Sequence, residues 1–370
     1  MKKIKYEEML PHELDVAVKE KPIVFLPWGT LEFHGKHLPL GLDGIKAYDL
    51  CQHIAKRMGG VVLPPTYWAI CKVPANWSIE ISERTEKRLL LEIFFQLEQL
   101  GFKLIVLLSG HYPVPQVLLI KEVADKFMRT SVAKVLALSD YEPALDIGYY
   151  GDHAAMWETS ILWAIRSDLV EIERLKGRGD ENMNWVAGDD PRTLASSRLG
   201  AETVEHIVEN LSAEIDAILN GKKIDNMGAH KRWAQLRYTK PLQFFEESLR
   251  NIGKNSISFE VGFEAPEPYV QSYFVTRILP LEVDGKVFPS EKTQITDSRG
   301  NTWQASEVRK TRGFYISSAN FSANGAVRVP MQATFTLIDL MLEPGEHQIS
   351  VGLELGGVIK MRIRTIEKIT

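Results

Sequence analysis

The sequence predicts an α/β domain, a parallel sheet with helices on both faces, followed by a smaller all-β domain of sandwich type. Three observations carry that prediction. Over roughly the first 220 residues, short apolar runs alternate with stretches of helical period, the pattern of strand, helix, strand in a parallel sheet. From about residue 256 the period changes to two, which is the mark of antiparallel strands with one face buried. At 370 residues the chain also exceeds what one hydrophobic core usually organises. We therefore place a first domain over 1–235 and an accessory β domain over 236–370.

In chain order, the strand candidates of the first part are "IVFLP", "GVVLPP", "KLIVLLSG" and "AKVLALS". Their nearly continuous apolar character fits strands covered on both faces. Between them lie "DGIKAYDLCQHIAKRMGG", which stops on Gly59 and Gly60, and "RTEKRLLLEIFFQLEQLG", which stops on Gly101, where a helix C-terminus favours glycine. Val204, Ile207, Val208, Leu211, Ile215 and Ile218 recur at helical spacing and mark a long amphipathic helix. "GKKIDNMGAHKRWAQLRYTKPLQ" reads as the connection. Beyond it, "SISFEVGFE", "YFVTRILPLEVDGKVFP", "ATFTLIDLML", "HQISVGLELGG" and "VIKMRIRTI" alternate apolar and polar residues, with turn signals at Asp284-Gly285 and Pro344-Gly345.

Composition narrows the function classes. With 45% apolar and 25% charged residues and a formal net charge of −4, the chain is of ordinary globular composition. Its Lys and Arg are scattered, which weighs against a nucleic-acid surface. No apolar run approaches a bilayer span, and the basic start "MKKIKYEEMLPHELD" lacks an apolar segment after it, so neither a membrane nor a signal peptide is expected. Cys51 and Cys71, the two cysteines, are too few for a disulfide framework and read as reduced thiols of a cytoplasmic protein. Of nine histidines only His347 lies in the β part, so chemistry belongs to the first domain.

Three segments concentrate that chemistry. In "LEFHGKHLPLGLD", Glu32 and His34 are two apart and share one face of an extended backbone, and Asp43 follows a glycine-containing loop that permits a sharp return. A carboxylate and an imidazole side by side can share one divalent cation or grip two. Asp43 is also placed to N-cap the helix that starts near Ile45. In "LIVLLSGHYP", His111 sits just past the end of an apolar strand, the edge at which open α/β sheets bind ligands. "GDHAAMWETSILWAI" offers Asp152, His153 and Glu158. Taken singly, a Glu or His at a strand end is more often an ordinary surface group; His37 reads as structural, donating to a carbonyl or carboxylate.

These segments together resemble the creatininase (creatinine amidohydrolase) family. "PWGTLEFHGKHLPLGLD" is similar to its Glu-x-His-Gly signature and the loop closing in Asp; "SGHYP" to its Asn-Gly-His segment; "DHAAMWETS" to its His-Ala-Gly segment ending in Glu-Thr-Ser; and "GDDPRTLASSRLGAETVEHIVENL" to its last loop and helix. The resemblance covers roughly residues 10 to 220. It implies a metal-dependent hydrolase of a non-peptide C–N bond, a cyclic amide or formamide, with two divalent ions, zinc, manganese or iron, per subunit. Glu32 and His111 would hold one ion, His34 the other, and Asp43 would bridge them. His153 would carry a proton to the leaving nitrogen, and Glu158 is left as ligand, base or partner of His153. The resemblance also implies a homo-oligomer acting on a small-molecule substrate.

The chain departs from the family pattern at Pro113, where some members carry a glutamate ligand, at Phe33, at Ala155-Met156, and along "TYWAICKVPANWSIEISERT". The metal core is retained and the substrate wall is not. Tyr112, Trp77 and Trp157 are the candidate substrate contacts. The rival reading is a creatininase-like binding protein whose catalysis is altered and whose β domain supplies recognition.

Overall fold

The structure is a computed structural model that describes residues 3–176, 185–238, 242–245, 248–253, 255–263, 272–297, 300–308, 314–317 and 331–369. Residues 239–241 of the expected connection lie outside these. By its internal packing the chain divides into two units, Met1–Trp233 and Ala234–Thr370.

The first unit begins with helix α1 (Pro11–Glu20) and strand β1 (Ile23–Trp28). There follow α2 (Leu42–Met58), β2 (Val61–Val62), α3 (Glu83–Gln99), β3 (Leu104–Ser109), α4 (Val114–Met128) and β4 (Lys134–Ser139). Helices α5 (Met156–Ile165), α6 (Pro191–Leu194) and α7 (Ser197–Leu219) complete it, and α8 (Asn226–Arg237) runs across the boundary after Trp233. The four strands form a parallel sheet in the order β2-β1-β3-β4. "GVVLPP" contributes only Val61 and Val62, because the paired prolines after Leu63 supply no N–H for a longer ladder.

All six residues of β1 and all six of β3 are buried. Val24, Leu26, Trp28, Ile105 and Leu107 point into a core shared with Leu90, Phe94 and Leu97 of α3 and Ile120, Val123 and Phe127 of α4. Helix α2 packs on β1 and β3, and α7 and α5 pack against α2 and each other. Helix α7 buries Val204, Ile207, Val208, Leu211, Ile215 and Ile218, and its Ser196 cap accepts from the Leu199 N–H, as an N-cap serine should.

The strand order places a reversal of direction between β1 and β3: the chain leaves β1 for β2 on one side and returns to β3 on the other. Ligands of open α/β sheets bind at the carboxyl ends of the strands at such a switch point. Two glycines shape this crevice. A Cβ on Gly29, just after β1, would overlap the Gly44 backbone, and one on Gly110, just after β3, would overlap the Asp43 carbonyl. The first turn of α2 therefore rests directly on both strand ends.

The second unit is antiparallel. One sheet joins β5 (Gln243–Phe244), β6 (Arg250–Ile252), β7 (Ser256–Phe263), β10 (Thr293–Asp297), β11 (Thr302–Gln304) and β13 (Met331–Ile338). The other joins β8 (Ser272–Val283), β9 (Lys286–Phe288), β12 (Phe314–Ser317), β14 (Gly345–Leu355) and β15 (Ile359–Ile369). Asp284 and Gly285, both at positive φ, form the two-residue turn between β8 and β9, the conformation a tight hairpin requires. Ile257, Phe259, Val261, Phe335 and Leu337 of one sheet and Ile349, Val351 and Leu353 of the other are fully buried. Strand β13 stops at Ile338, short of the run "ATFTLIDLML", where Asp339 takes positive φ. No helix among the described residues is long and apolar enough to cross a membrane.

Because the three nearest atoms met by a Cβ at Gly110 all belong to the Asp43 backbone, no side-chain rotation relieves the clash. Gly110→Ala should destabilise the protein by about 3 kcal/mol, read as a lower denaturant midpoint.

Candidate metal centre

Glu32 and His34 follow β1, Asp43 lies in the first turn of α2, His111 follows β3, His153 precedes α5 and Glu158 lies in the first turn of α5. The fold brings these six side chains into one cluster at the switch point. Asp43 lies at its centre. Its Oδ1 is 3.1 Å from His34 Nε2 and its Oδ2 is 3.1 Å from His111 Nδ1. Glu32 Oε1 lies 3.2 Å from His111 Nδ1, 3.7 Å from His153 Nδ1 and 3.8 Å from His34 Nε2. Glu158 Oε2 is 3.7 Å from His34 Nε2. The His34 and His153 rings stack at 4.4 Å.

The other nitrogen of each imidazole is committed to a backbone carbonyl. His34 Nδ1 donates to Glu32 O at 3.0 Å, His111 Nε2 to Ile70 O at 2.9 Å and His153 Nε2 to Phe33 O at 2.9 Å. A carbonyl only accepts, so these nitrogens carry the proton and the opposite ones are left to present a lone pair to an ion, or, where the imidazole is protonated, to donate to the carboxylates. His34 Nε2 and Asp43 Oδ2 are buried without a hydrogen-bond partner. Three groups could each hold an ion, their donor atoms lying within 4.8 Å of one another: Glu32, Asp43 and His111; His34, Asp43 and Glu158; and Glu32, His34 and His153. Mixed carboxylate and imidazole donors with unsatisfied buried lone pairs suit a divalent cation.

The expected capping role of Asp43 is not found. Helix α2 begins at Leu42 with Gly41 at the cap and no side-chain cap bond. Asp43 stands two positions past that cap, and its oxygens turn to His34 and His111 instead. Its carboxylate still lies at the positive end of the helix dipole. Asp152 takes the capping task at α5, accepting from Trp157 N at 2.7 Å and Glu158 N at 3.2 Å. His37 is buried and bonds the Thr159 hydroxyl at 2.9 Å, with the Ala154 carbonyl beside it as a backbone acceptor.

Of the candidate substrate contacts, Tyr112 donates to Glu158 Oε1 at 2.7 Å. Trp157 is half-buried and stacks on Tyr149 at 5.3 Å. Trp77 is 76% exposed, on a loop tied to the β1 end by Phe33 N donating to Ser78 Oγ and Ile79 N to Leu31 O. Pro113 precedes the first turn of α4 and has no group to offer an ion.

Sequence reasoning missed Lys46, Asp140 and Tyr149. Lys46 Nζ, buried in α2, lies 2.8 Å from both Asp140 Oδ2 and Glu158 Oε1, and the Tyr149 hydroxyl donates to Asp140 Oδ1 at 3.3 Å. One signal was available: Lys46 falls one turn after Asp43, on the same face as Leu50 and Ile54, where a solvated lysine does not belong.

Without an ion, the cluster balances its own charge. Burial alone would lower the His34 imidazole, but Asp43, Glu158 and Glu32 outweigh it and push its pKa up to about 9. Burial also opposes protonation of His111, and Glu32 and Asp43 outweigh it, leaving it well above the ordinary range. Burial raises Glu32 and Asp43, yet the imidazoles hold both carboxyls below their usual values. His153 is lowered, by burial first and then by neighbouring His34. The arrangement is three acids, Glu32, Asp43 and Glu158, around two protonated imidazoles, with the Lys46 ammonium on Glu158 as the third positive charge.

The chain belongs to a class defined by a carboxylate and imidazole cluster at the switch point of a parallel sheet. It is a member of the creatininase family, described as creatinine amidohydrolase, which is matched over residues 7–215. A creatinine amidohydrolase of Pseudomonas putida is 25% identical over 180 residues, covering 41% of this chain and 68% of that protein. The crystal structure of a creatinine amidohydrolase (creatininase) superposes with a TM-score of 0.52 at 22% identity, covering 58% of this chain and 97% of the other. A manganese form of creatininase gives 0.51 at 22% identity, with 58% and 98% covered.

Since ligand imidazoles must be neutral, loading the chelated protein with Mn2+ at pH 7 should release protons from His34 and His111, seen as a dependence of the calorimetric heat on buffer ionisation. His34 is raised in the folded state, so the stability it contributes to ion-free protein is complete below its unfolded value, about 6.5. That stability should be lost as pH climbs to about 9, a decline that thermal melts of chelated protein would show.

Proposed function

We propose that the chain is a metal-dependent amidohydrolase that cleaves a non-peptide C–N bond, in a cyclic amide or a formamide, of a small-molecule substrate. The observation that carries this reading is the position of Asp43, one oxygen facing His34 and the other His111 at 3.1 Å each. That is the placement of a carboxylate shared between two ions. Family membership supports it, as do creatininases solved in a manganese form and a Zn–Zn type.

In this reading Glu32, Asp43 and His111 hold one ion, and His34, Asp43 and Glu158 the other. Bound divalent ions supply a water of lowered pKa and a polarised carbonyl. The chain's own part is to fix the ligands, keep the site dry and move the proton. His153 suits that last task. It is the cluster's most exposed member, at 19% of its side chain. Burial and His34 keep it neutral, and with Nε2 bound to Phe33 O, Nδ1 is free to accept a proton and give it to the leaving nitrogen. Trp157, Tyr112 and Trp77 form the wall against which substrate is oriented.

One observation favours a second reading. Pro113 supplies no ligand next to His111, which suits a binding protein with altered catalysis. Metal content and turnover separate the two. On our reading the native protein holds two ions by elemental analysis and hydrolyses members of a panel of small amides and formamides. Glu32→Gln and His111→Ala should lose metal and turnover together, whereas His153→Asn should keep its metal and lose about 10²- to 10⁴-fold in rate. Full metal content in Glu32→Gln or His111→Ala would remove the assignment, and a filled site with no turnover on any amide would favour the binding protein.

A further inference from the structure

The buried group beneath the cluster has a charge pattern that an inert core would not tolerate. Lys46 and Asp140 are each wholly buried, and Glu158 nearly so. Transferring such charges out of water costs several kcal/mol per ion unless each is paired. Here one ammonium serves two carboxylates from separate elements: Asp140, just past β4, and Glu158 on α5, each at 2.8 Å. The Tyr112 and Tyr149 hydroxyls lie 3.4 Å from the same nitrogen, and the ammonium sits 4.7 Å from the centre of the Tyr112 ring.

Counting acceptor sites shows what this does to Glu158. A carboxylate oxygen offers about two lone-pair positions. At Glu158 Oε1 both are taken, by Lys46 Nζ at 2.8 Å and the Tyr112 hydroxyl at 2.7 Å. At Oε2 one is taken, by the Ala154 N–H at 2.7 Å. Ala154 stands at a positive φ of 52°, a backbone conformation unusual for alanine, and it thereby aims its N–H at that oxygen. A single lone pair is left, on the oxygen 3.7 Å from His34 Nε2.

We propose that Lys46 and Tyr112 form a buried clamp on Glu158 Oε1 that makes this carboxylate a one-oxygen ligand, aimed at the ion position between His34 and Asp43. Lys46 is a positioning residue: wholly buried, it acts through Glu158 alone. Asp140 balances the clamp's charge and holds Lys46 from the far side. Tyr112 thereby gains a structural task beside the substrate contact considered above. The clamp sets the two ion positions apart, because Glu32 is held at Oε2 by a backbone donor, the Val73 N–H, and no lysine or tyrosine donor to it is found among the described residues. This inference rests on the two-ion reading, and its test reports on each separately.

The test is a titration of the chelated full-length protein with Mn2+ by calorimetry, repeated with Co2+ and read by visible absorption. The wild type should take up two ions. Lys46→Met combined with Asp140→Asn removes the ammonium together with one of its two counter-charges, so that Glu158 keeps only His34 and the ion as charge partners. The double variant should bind one ion as the wild type does and the second about 10- to 100-fold more weakly, the loss typical when a partner of a metal ligand is removed, with a changed Co2+ spectrum for that ion alone. Asp140→Asn by itself keeps Lys46 on Glu158 and should bind both ions as the wild type does.

Native affinity for both ions in the double variant, equal weakening of both, or an Asp140→Asn variant that behaves as the double one would each overturn the clamp. If circular dichroism shows the double variant unfolded, Tyr112→Phe decides, since it removes the other donor to the same oxygen. Selective weakening of one ion supports the clamp, and native binding of both overturns it. A wild-type protein that binds no ion would instead defeat the two-ion reading, and the clamp with it.

Discussion

The contact of Gly29 and Gly110 with the backbone of Asp43 and Gly44 is the constraint on which the site depends. Strands β1 and β3 end side by side in register, Trp28 opposite Ser109, and the first turn of α2 sits across both ends with no side chain between. Only there can a carboxylate one residue into a helix stand between imidazoles delivered by two different strands. A methyl group at either glycine would push α2 away from the sheet by more than the tolerance of a metal ligand, which must be held to within about 0.5 Å. Gly44 completes the arrangement from the opposite side, because a Cβ there would enter the Tyr67 ring. The small residues in "WGT", "LDG" and "SGH" are thus explained by one three-way approach of backbones.

Backbone carbonyls then do for the imidazoles what glycine does for Asp43. Each of the three rings is fixed by donation to a carbonyl, of Glu32, Phe33 or Ile70, and these carbonyls belong to loops held by further bonds. Val73 N donates to Glu32 Oε2 at 2.7 Å and Ile70 N to Gln116 Oε1 at 3.1 Å, so the loop that orients His111 also orients Glu32. Gln116 in turn donates to the buried Glu86 at 2.6 Å, which accepts from Trp28 Nε1 at 2.8 Å as well. Cys71, next to Ile70, holds a positive φ of 64°. Backbone conformations of that kind cost of order 1–3 kcal/mol and persist where surrounding bonds over-determine them. The cluster is preorganised by peptide groups more than by side-chain packing.

Much of this was legible in the residues, and the reason differs from part to part. The parallel sheet and the β unit were readable because burial on two faces and on one face leave different periods. Glu32, His34 and His111 were readable because each stands immediately after an apolar strand, and order in the chain then implies nearness at one sheet edge. Asp43 was singled out for two roles; its oxygens face the imidazoles, and it makes no cap bond because the helix starts two residues earlier than a cap at Asp43 requires. Lys46, Asp140 and Tyr149 were not read. Their meaning arises only when α2, β4 and α5 are packed together, and along the sequence a lysine on a helix or an aspartate after a strand is an ordinary solvated group. The short strands β5, β6, β11 and β12 have two to four residues each, too few to show a period.

Exposure across the cluster gives the last step. Glu32, His34, Asp43, His111 and Glu158 are all buried, and only His153 reaches solvent appreciably. Approach to the site is therefore from the side of His153 and the Phe33 peptide it bonds. On that side runs the segment from Thr66 to Ile81, which has no helix or extended strand among its residues and exposes Trp68, Trp77 and Ile79. It is nonetheless pinned, by Thr30 Oγ1 donating to Ile79 O at 3.1 Å, by Ile79 N donating to Leu31 O at 2.8 Å and by Ile81 N donating to Ala69 O at 3.1 Å. Loops can change residues without disturbing the sheet that carries them. The clustered carboxylates and imidazoles are fixed by strand ends and glycine contacts that admit few alternatives, while the segment from Thr66 to Ile81 is irregular chain anchored through backbone groups that any residue supplies. That division explains how the segments carrying the cluster keep the family pattern while "TYWAICKVPANWSIEISERT" departs from it.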